Sequence, residues 1–248
     1  DIFATLKGTT NLVIYRTENN GTIFYRDNPT YVGSTRNVKQ YNPGLSDSDL
    51  IAQEILYTTG GILENICPAS VTAVCNWKNR LITLGDDGIL YSKEVSAGYA
   101  AEMNFLLNIN INGIKGKPTG IAALQDKLII FYKDSIHYIV GDGPNDAGQG
   151  GNFSLPQLLL KGVGAIRQSG IIEAQDAVYF HSYDGWRVLD KSLTCDYFGT
   201  EMDYFINSSS VIYSAIYMDK IHQLRISDLT NTYVYDTFYK QWSVLPDR

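Results

Sequence analysis

Short apolar stretches alternate with clusters of Asp, Gly and Asn along much of the chain. In five places, two stretches rich in β-branched, aromatic and leucine residues flank a short polar turn, a strong local signal of a β-hairpin. The five pairs are Leu12–Tyr15 with Thr22–Tyr25, Arg80–Leu84 with Ile89–Tyr91, Leu128–Phe131 with Ile136–Val140, Ala177–Phe180 with Trp186–Leu189, and Ile221–Ile226 with Tyr233–Tyr235. The turns between them are Glu18–Gly21, Asp86–Gly88, Lys133–Asp134, Asp184–Gly185 and Asp228–Asn231. The pattern predicts five β-hairpins.

The hairpins recur at a nearly regular interval. They start near residues 12, 80, 128, 178 and 221, so the last three steps are about 48, 50 and 43 residues. This matches the period of about 40–50 residues of a four-stranded propeller blade. Three hairpins follow a further short strand of small and apolar residues, which suits an innermost strand where blades converge; these are Val71–Val74, Gly120–Ala123 and Gly170–Ile172. The sequence predicts an all-β fold, a β-propeller of about four to five visible four-stranded blades. A large β-sandwich is the alternative.

The first step, of about 68 residues, includes the polar stretch 28–49. We interpret this stretch as an inserted loop within one propeller domain covering residues 1–248, and as a candidate contact element, because long loops in compact domains are commonly functional. A mobile surface loop is the alternative. The best helical candidate is Ser46–Leu56, where Ser46 or Asp47 can cap a short turn. Because the first blade lacks its beginning, we expect the propeller to be incomplete and the chain to belong to a longer polypeptide.

Composition agrees with a globular β protein. Apolar residues make up 44% and charged residues 19% of the chain, and 18 Tyr outnumber 9 Phe and 3 Trp, which suits half-buried pleated surfaces. The net charge is −6 and the pI is about 5.0, so the chain as a whole lacks the basic footprint of a nucleic-acid-binding protein. No run of 18 apolar residues predicts a membrane span. Cys67, Cys75 and Cys195 are too few for a disulfide framework and too scattered for a zinc site, so we expect reduced thiols.

The glycine-rich segment 141–151 is the most unusual local motif. Asp142 and Asp146 are possible calcium ligands, but their spacing differs from that of a calcium loop. No helix is predicted after the segment, so it lacks the helix N-terminus whose dipole favours a bound phosphate. We interpret the segment as a structural loop with several residues at positive φ.

The titratable residues do not assemble into a recognisable active site. His137, His181 and His222 occupy different positions within the repeat, so we do not expect them to share a metal ion. Most acidic residues lie in predicted turns, and the innermost strands offer only Glu173, whereas a propeller glycosidase needs two carboxylates. The turn 182–186, Ser-Tyr-Asp-Gly-Trp, faintly resembles the Asp-box of sialidases but is explained as a turn. We therefore predict no enzyme and no catalytic, cofactor or metal site.

The second half of the chain resembles a known protein group. The run 126–146 contains a Lys-Asp-Ser-Ile turn and a Gly-Asp-Gly-Pro loop after an apolar strand, and the likeness continues through Gly164, 183–186, Asp190, 198–199, 235–236 and 241–243. This ordered series, over about residues 118–245, resembles the propeller-bearing tail nozzle, or packaged-DNA stabilisation, proteins of short-tailed bacteriophages. The first half resembles that group only in its blade pattern.

The resemblance implies a structural virion protein without catalytic residues. It implies a homo-oligomeric ring, with a hexamer expected, that lies below the portal and adaptor and extends or closes the DNA channel of the tail. Such a protein is located in the virion tail, is assembled in the host cytoplasm and lets genomic DNA pass without sequence-specific binding. The acidic charge is compatible with this role, because basic walls would hold phosphates. The alternatives are a host-receptor or glycan-binding propeller of a phage tail and, as the weakest, a propeller glycoside hydrolase.

Overall fold

The computed structural model describes residues 2–3, 14–27, 30–33, 38–56, 61, 65–95, 100–145, 149–202 and 211–246. Their contacts group the chain into two compact units. Unit 1 comprises Asp1–Glu64 and Pro144–Gly151, and unit 2 comprises Asn65–Gly143 and Asn152–Arg248. Within the described ranges, no helix is long and apolar enough to cross a membrane.

Unit 1 contains short strands and one short helix. Its elements are β1 (Ile2–Phe3), β2 (Tyr15–Arg16), β3 (Tyr25–Arg26), β4 (Thr30–Gly33), β5 (Val38–Asn42) and α1 (Asp47–Leu50). Strand β5 pairs with both β1 and β4, while β2 pairs with β3, and all three pairings are antiparallel. The Ser46 side chain accepts a hydrogen bond from the Asp49 N–H and so caps α1. Arg16 joins this helix to the β2–β3 pair, because its guanidinium lies 2.7 Å from Asp47 and 3.2 Å from Asp27.

Unit 2 contains four antiparallel sheets of four strands each, and in every sheet the strand order follows the chain. The first sheet is β6 (Val71–Trp77), β7 (Arg80–Gly85), β8 (Gly88–Ser92) and β9 (Met103–Ile109). The second sheet is β10 (Gly120–Leu124), β11 (Lys127–Phe131), β12 (Ser135–Ile139) and β13 (Gln157–Lys161). The third sheet is β14 (Ile171–Glu173), β15 (Ala177–Ser182), β16 (Gly185–Asp190) and β17 (Cys195–Tyr197). The fourth sheet is β18 (Ser214–Met218), β19 (Gln223–Ser227), β20 (Asn231–Asp236) and β21 (Gln241–Pro246).

The first strands of successive sheets lie beside one another. Strand β10 contacts β6 on one side and β14 on the other, and β14 contacts β18. Four consecutive meanders whose first strands adjoin are the arrangement of propeller blades around a shared axis. The fold is therefore all-β, a β-propeller with four four-stranded blades among the described residues.

Turn geometry fixes the pairing of the strands within each sheet. Lys78 and Asn79 have φ of 49° and 57° between the paired residues Trp77 and Arg80. Two central residues at positive φ form the tight turn that matches the twist of a hairpin. The β7–β8 and β15–β16 turns use another solution, in which a glycine at positive φ follows an aspartate; Gly88 has φ 94° and Gly185 has φ 114°. A side chain at either position would favour a different backbone conformation.

Apolar packing between neighbouring sheets forms the core of unit 2. Between the second and third sheets, the rings of Phe131 and Phe180 lie 5.0 Å apart within a cluster of fully buried aliphatic residues. Trp186 lies at the centre of the next cluster, against Leu224 and Ile226 of the fourth sheet. Each such side chain contributes about 1.5–3 kcal/mol through removal from water. On the first sheet, the Phe153 ring lies 5.2 Å from that of Trp77.

The four later hairpins predicted from the sequence are confirmed. Several strand boundaries differ by one or two residues. At the start of β19 the reason is visible, because Asp219–Ile221 forms a 3₁₀ turn and His222 adopts φ 53°, so that the strand begins at Gln223 rather than Ile221. The first predicted hairpin is represented by β2 and β3, of two residues each, and Leu12 lies outside the described residues. The described residues of this region do not form a four-stranded blade.

The prediction that residues 28–49 form a loop is wrong. Strands β4 and β5 pair over four residues within this stretch, and α1 follows them. The polar composition suggested a loop, but the hydrogen bonds of a strand pair join backbone groups, so pairing does not require apolar side chains. The predicted helix over Ser46–Leu56 is present with the expected Ser46 cap but ends at Leu50.

Replacing Trp186 with alanine should destabilise the protein by about 3–5 kcal/mol, because a fully buried indole would leave a cavity between the third and fourth sheets. Tyr183 provides the matched control from the same hairpin, since it is 53% exposed and its replacement with alanine should change stability by no more than about 0.5 kcal/mol. Urea unfolding followed by circular dichroism measures both. Equal effects of the two substitutions would contradict this account of the core.

Candidate functional site

Three cavities line the end of unit 2 at which the β7–β8, β11–β12 and β15–β16 turns lie. We call the largest the first-sheet cavity; it has a volume of about 740 Å³ and is bounded by residues 86–90, Phe105 and residues 108–112. A second cavity of about 310 Å³ shares Asp86 and Gly88 with it. A third, of about 440 Å³, adjoins the second at Gly116 and reaches Tyr183 and Asp184. Together the three cavities form a row along these turns, which we call the turn groove.

The hairpin turns place carboxylates along this groove. Asp86 and Asp87 occupy the β7–β8 turn, Asp134 the β11–β12 turn and Asp184 the β15–β16 turn. The segment between β9 and β10 supplies the opposite wall, and Gly113 and Gly116 at positive φ let it bend over the groove. The acidic turns predicted from the sequence are thus brought to one end of the first three sheets, while Asp228 of the fourth does not line these cavities.

The charges of the groove differ from one end to the other. Near Tyr183, the Asp184 carboxylate receives hydrogen bonds from the Arg187 guanidinium at 2.5 and 3.1 Å, which lower the pKa of Asp184. Lys115 and Lys133 line the same cavity. At the other end, the Lys117 ammonium lies 4.0 Å from Asp86, and Asp87 lines the first-sheet cavity beside Asp86. The first-sheet cavity is therefore the more acidic end.

Glu173, the carboxylate of the innermost strands, has a structural partner. Its Oε1 atom accepts a hydrogen bond from the Ala123 N–H at 2.7 Å, on the free edge of β10. Although the residue as a whole is exposed, packing around the carboxyl raises the pKa of Glu173, and the hydrogen bond from Ala123 opposes the rise. The buried Cys75 thiol has its pKa raised by desolvation first and by the charge of Glu173 second. The Glu173 carboxylate thus provides an acceptor for a backbone N–H at the free edge of β10.

The three histidines lie in different sheets. His137 of the second sheet packs its ring edge-on to Tyr132 at 5.3 Å, and burial lowers the pKa of His137. His181 of the third sheet stacks on Trp186 at 5.1 Å. His222 of the fourth sheet lies beside Phe238 after a 3₁₀ turn. The described residues contain no group of three or more His, Cys, Asp and Glu side chains that could hold a metal ion.

The glycine-rich segment has the predicted loop geometry. Gly141, Gly143 and Gly150 have φ of 114°, 74° and 95°. In unit 2, a Cβ on Gly143 would lie 2.3 Å from the Phe153 ring, so the backbone passes directly over that ring. The Asp142 carboxylate, one of the two possible calcium ligands, pairs with the Lys78 ammonium at 2.5 Å. The other, Asp146, lies outside the described residues.

Sequence reasoning missed the wall of the first-sheet cavity formed by β9 and the residues after it. Phe105 and the three asparagines at 108, 110 and 112 line the cavity, yet the hairpin pattern did not assign them to any element. The alternation Asn-Ile-Asn-Ile-Asn over residues 108–112 is the available signal, because a period of two is typical of a half-buried strand.

Comparisons with known proteins identify no family. No protein-family model and no curated protein matches the chain. Among solved structures, it is similar to a nidogen–laminin complex, with 11% identity, coverage of 95% of this chain and 78% of that chain, and a TM-score of 0.49. It is also similar to the extracellular domain of a two-component system protein from B. thetaiotaomicron, with 11% identity over 75% of this chain and a TM-score of 0.46; the chain spans 23% of that protein's length. A hemopexin-fold protein from cow pea gives 10% identity, coverage of 73% and 92%, and a TM-score of 0.33.

Replacing Glu173 with glutamine should stabilise the protein near neutral pH and have little effect in acid. Because burial raises the pKa of Glu173, the folded state holds this proton to a higher pH than the unfolded chain, so stability is lost as pH rises through that range. Glutamine keeps an acceptor for Ala123 and carries no charge. Thermal unfolding between about pH 4 and about pH 7 measures the difference, with exposed Glu201→Gln as the control. A melting-temperature difference that does not change with pH would contradict the prediction.

Proposed function

We propose that this chain is a structural component of a tailed-bacteriophage particle, a propeller of the tail nozzle type that extends or closes the DNA channel. The proposal rests on what the residues that resemble tail nozzle proteins do in this structure. Those within the described ranges form turns, close backbone approaches and contacts between sheets, which are the roles expected of residues in a scaffold.

The Lys-Asp turn and Gly164 form one such contact. The Gly162 N–H donates to the Asp134 carbonyl at 2.7 Å, and the Ala165 N–H donates to the Tyr132 carbonyl at 3.0 Å. A Cβ on Gly164 would lie 2.0 Å from the Tyr132 carbonyl oxygen. Only glycine allows the segment after β13 to lie this close to the β11–β12 turn.

The Tyr-Asp-Gly-Trp turn and the Phe-Gly pair form a second contact. The Phe198 N–H donates to the Trp186 carbonyl at 3.1 Å, and a Cβ on Gly199 would lie 2.9 Å from the Trp186 nitrogen. The Phe198 ring then stacks on Trp242 of the fourth sheet, with 5.7 Å between ring centroids and 7° between ring planes. Residues that lie far apart in the resembling series therefore meet in one place.

The aspartates of the series stabilise turns. Asp190 Oδ1 accepts hydrogen bonds from the N–H groups of Ser192 and Thr194. In the fourth sheet, Asp236 Oδ1 accepts from the N–H groups of Phe238 and Tyr239. A carboxylate that satisfies two backbone donors fixes the turn around it. These contacts support a rigid scaffold. The proposal places this scaffold in the virion tail, as a non-catalytic part that is assembled in the host cytoplasm.

Particle location tests the proposal directly. Antibodies against the purified chain, coupled to gold, should label intact phage particles at the distal end of the tail when viewed by electron microscopy. Labelling on the head surface would mean a decoration protein, and absence from purified particles would mean a non-virion protein. Either result would contradict the nozzle role.

The proposed role also requires a ring of identical subunits around the channel, and we expect six. Closed cyclic symmetry is the usual solution for such homo-oligomers. Light scattering on the purified chain, mixed with the portal and adaptor proteins of the same phage, should give a bound mass of about six times 27.7 kDa. A chain that stays monomeric and does not join the portal–adaptor complex would be inconsistent with a nozzle. The acidic pI of about 5.0 suits a wall along which DNA slides.

A further inference from the structure

We propose that the first-sheet cavity is a binding site for neutral or amino sugars of an oligosaccharide. The inference goes beyond the structural role and does not depend on it. It rests on the size of the cavity, the hydrogen-bonding groups that line it, the exposed aromatic ring at its wall and its charge.

The cavity has the dimensions of a ligand site. Its volume of about 740 Å³ lies within the range of about 300–1,000 Å³ typical of small-molecule pockets. It lies between the β7–β8 turn and the outermost strand of the first sheet, away from the packing between sheets. The turn is fixed by the pairing of Gly85 with Gly88, so this wall is preformed.

The lining offers both acceptors and donors for hydroxyl groups. Asp86 and Asp87 are acceptors when ionised, and carboxylates form stronger hydrogen bonds than neutral groups. Asn108 uses its Nδ2 to donate to the Phe105 carbonyl at 3.1 Å, which leaves its Oδ1 as an acceptor. Asn110 accepts the Asn112 N–H on its Oδ1 at 2.9 Å, which leaves its Nδ2 as a donor. Sugar hydroxyls donate and accept at once, so a mixed set of this kind suits them.

Phe105 supplies the apolar part of the site. It lies on an outermost strand, lines the cavity and is 44% exposed. The C–H face of a pyranose ring is apolar and packs on aromatic rings, which provide large contact areas at low entropic cost. An exposed phenylalanine beside carboxylates and carboxamides therefore fits a sugar better than a purely polar ligand.

The charge of the cavity narrows the ligand class. Two carboxylates line it, and the only ammonium near them, among the described residues, is that of Lys117 at 4.0 Å from Asp86. Sialylated or phosphorylated sugars would be repelled, whereas neutral sugars and amino sugars would not. Among the described residues, no third His, Cys, Asp or Glu side chain joins the two aspartates, and in this proposal the aspartates contact the sugar hydroxyls directly.

Calorimetric titration of the full-length chain tests the proposal. The probes are maltotriose, chitotriose and chitosan trisaccharide as neutral and amino sugars and 3′-sialyllactose as the acidic sugar, all with EDTA present. We expect at least one of the first three to bind and sialyllactose not to bind. Phe105→Ala should weaken binding at least about tenfold, equivalent to about 1.4 kcal/mol. Asn110→Ala should weaken it as well, because a donor is lost.

Matched substitutions separate the site from general surface effects. Leu158→Ala removes an apolar side chain that is 56% exposed on β13, the outermost strand of the second sheet, and should leave binding unchanged. Asp87→Asn should weaken binding because a charged acceptor is lost, whereas Asp196→Asn on β17, its control, should leave binding unchanged. Circular dichroism checks that each variant is folded, and Phe105 is exposed enough for its variant to fold. No binding of the three trisaccharides at about 10 mM, preferential binding of sialyllactose, or equal loss in Phe105→Ala and Leu158→Ala would each overturn the proposal; millimolar affinity is the weak end of specific recognition.

Discussion

The free edge of the inner strands is the constraint on which the arrangement of unit 2 depends. Strand β10 lies at the edge of its sheet, so some of its backbone N–H and C=O groups point away from β11 and need partners. Gln168 of the third blade satisfies two of them, with its Oε1 accepting from the Ile121 N–H at 2.8 Å and its Nε2 donating to the Ile121 carbonyl at 3.1 Å. Glu173 accepts from the Ala123 N–H, two residues further along. These bonds fix the position of the third sheet relative to the second along the direction of β10.

Apolar packing between sheets follows from that alignment. With the inner strands aligned, Phe131 meets Phe180 between the second and third sheets, and Trp186 meets the fourth sheet. Hydrophobic contacts are not directional, so they would tolerate sliding of one sheet over another. The side-chain hydrogen bonds to β10 are directional and therefore oppose such sliding. The close approach of the two sheets also depends on glycine, because a Cβ on Gly120 would lie 2.3 Å from the Ile171 side chain. A residue without a side chain at position 120 is therefore a requirement of this contact.

The sequence predicted the middle of each blade better than its margins, for a physical reason. Strands such as β11, with Leu128–Phe131 buried on both faces, form continuous apolar runs bounded by turns. The outermost strands β13 and β17 are only partly buried. Residues 140–156 separate β13 from β12, and β17 has only three residues, so neither strand forms part of a hairpin signal. The strand pair within residues 28–49 was also missed, because its residues are mostly polar. Hydrophobic periodicity could not predict that unit 1 forms a separate group of contacts. It indicates which face of a strand or helix is buried, but not which elements pack together.

The middle strands of a blade are buried, whereas its outermost strand is partly exposed. This difference explains how one chain could combine the proposed scaffold with the proposed binding surface. Asp86 and Asp87 were predictable as turn residues, but the cavity exists only because β9 brings Phe105 and Asn110 opposite them. None of these four side chains belongs to the buried residues of unit 2. Substitutions in the first-sheet cavity therefore change what the surface recognises without opening the packing between sheets, whereas a change at Gln168 or Trp186 acts on the packing itself. The proposed binding site and the packing between sheets are thus formed by different side chains.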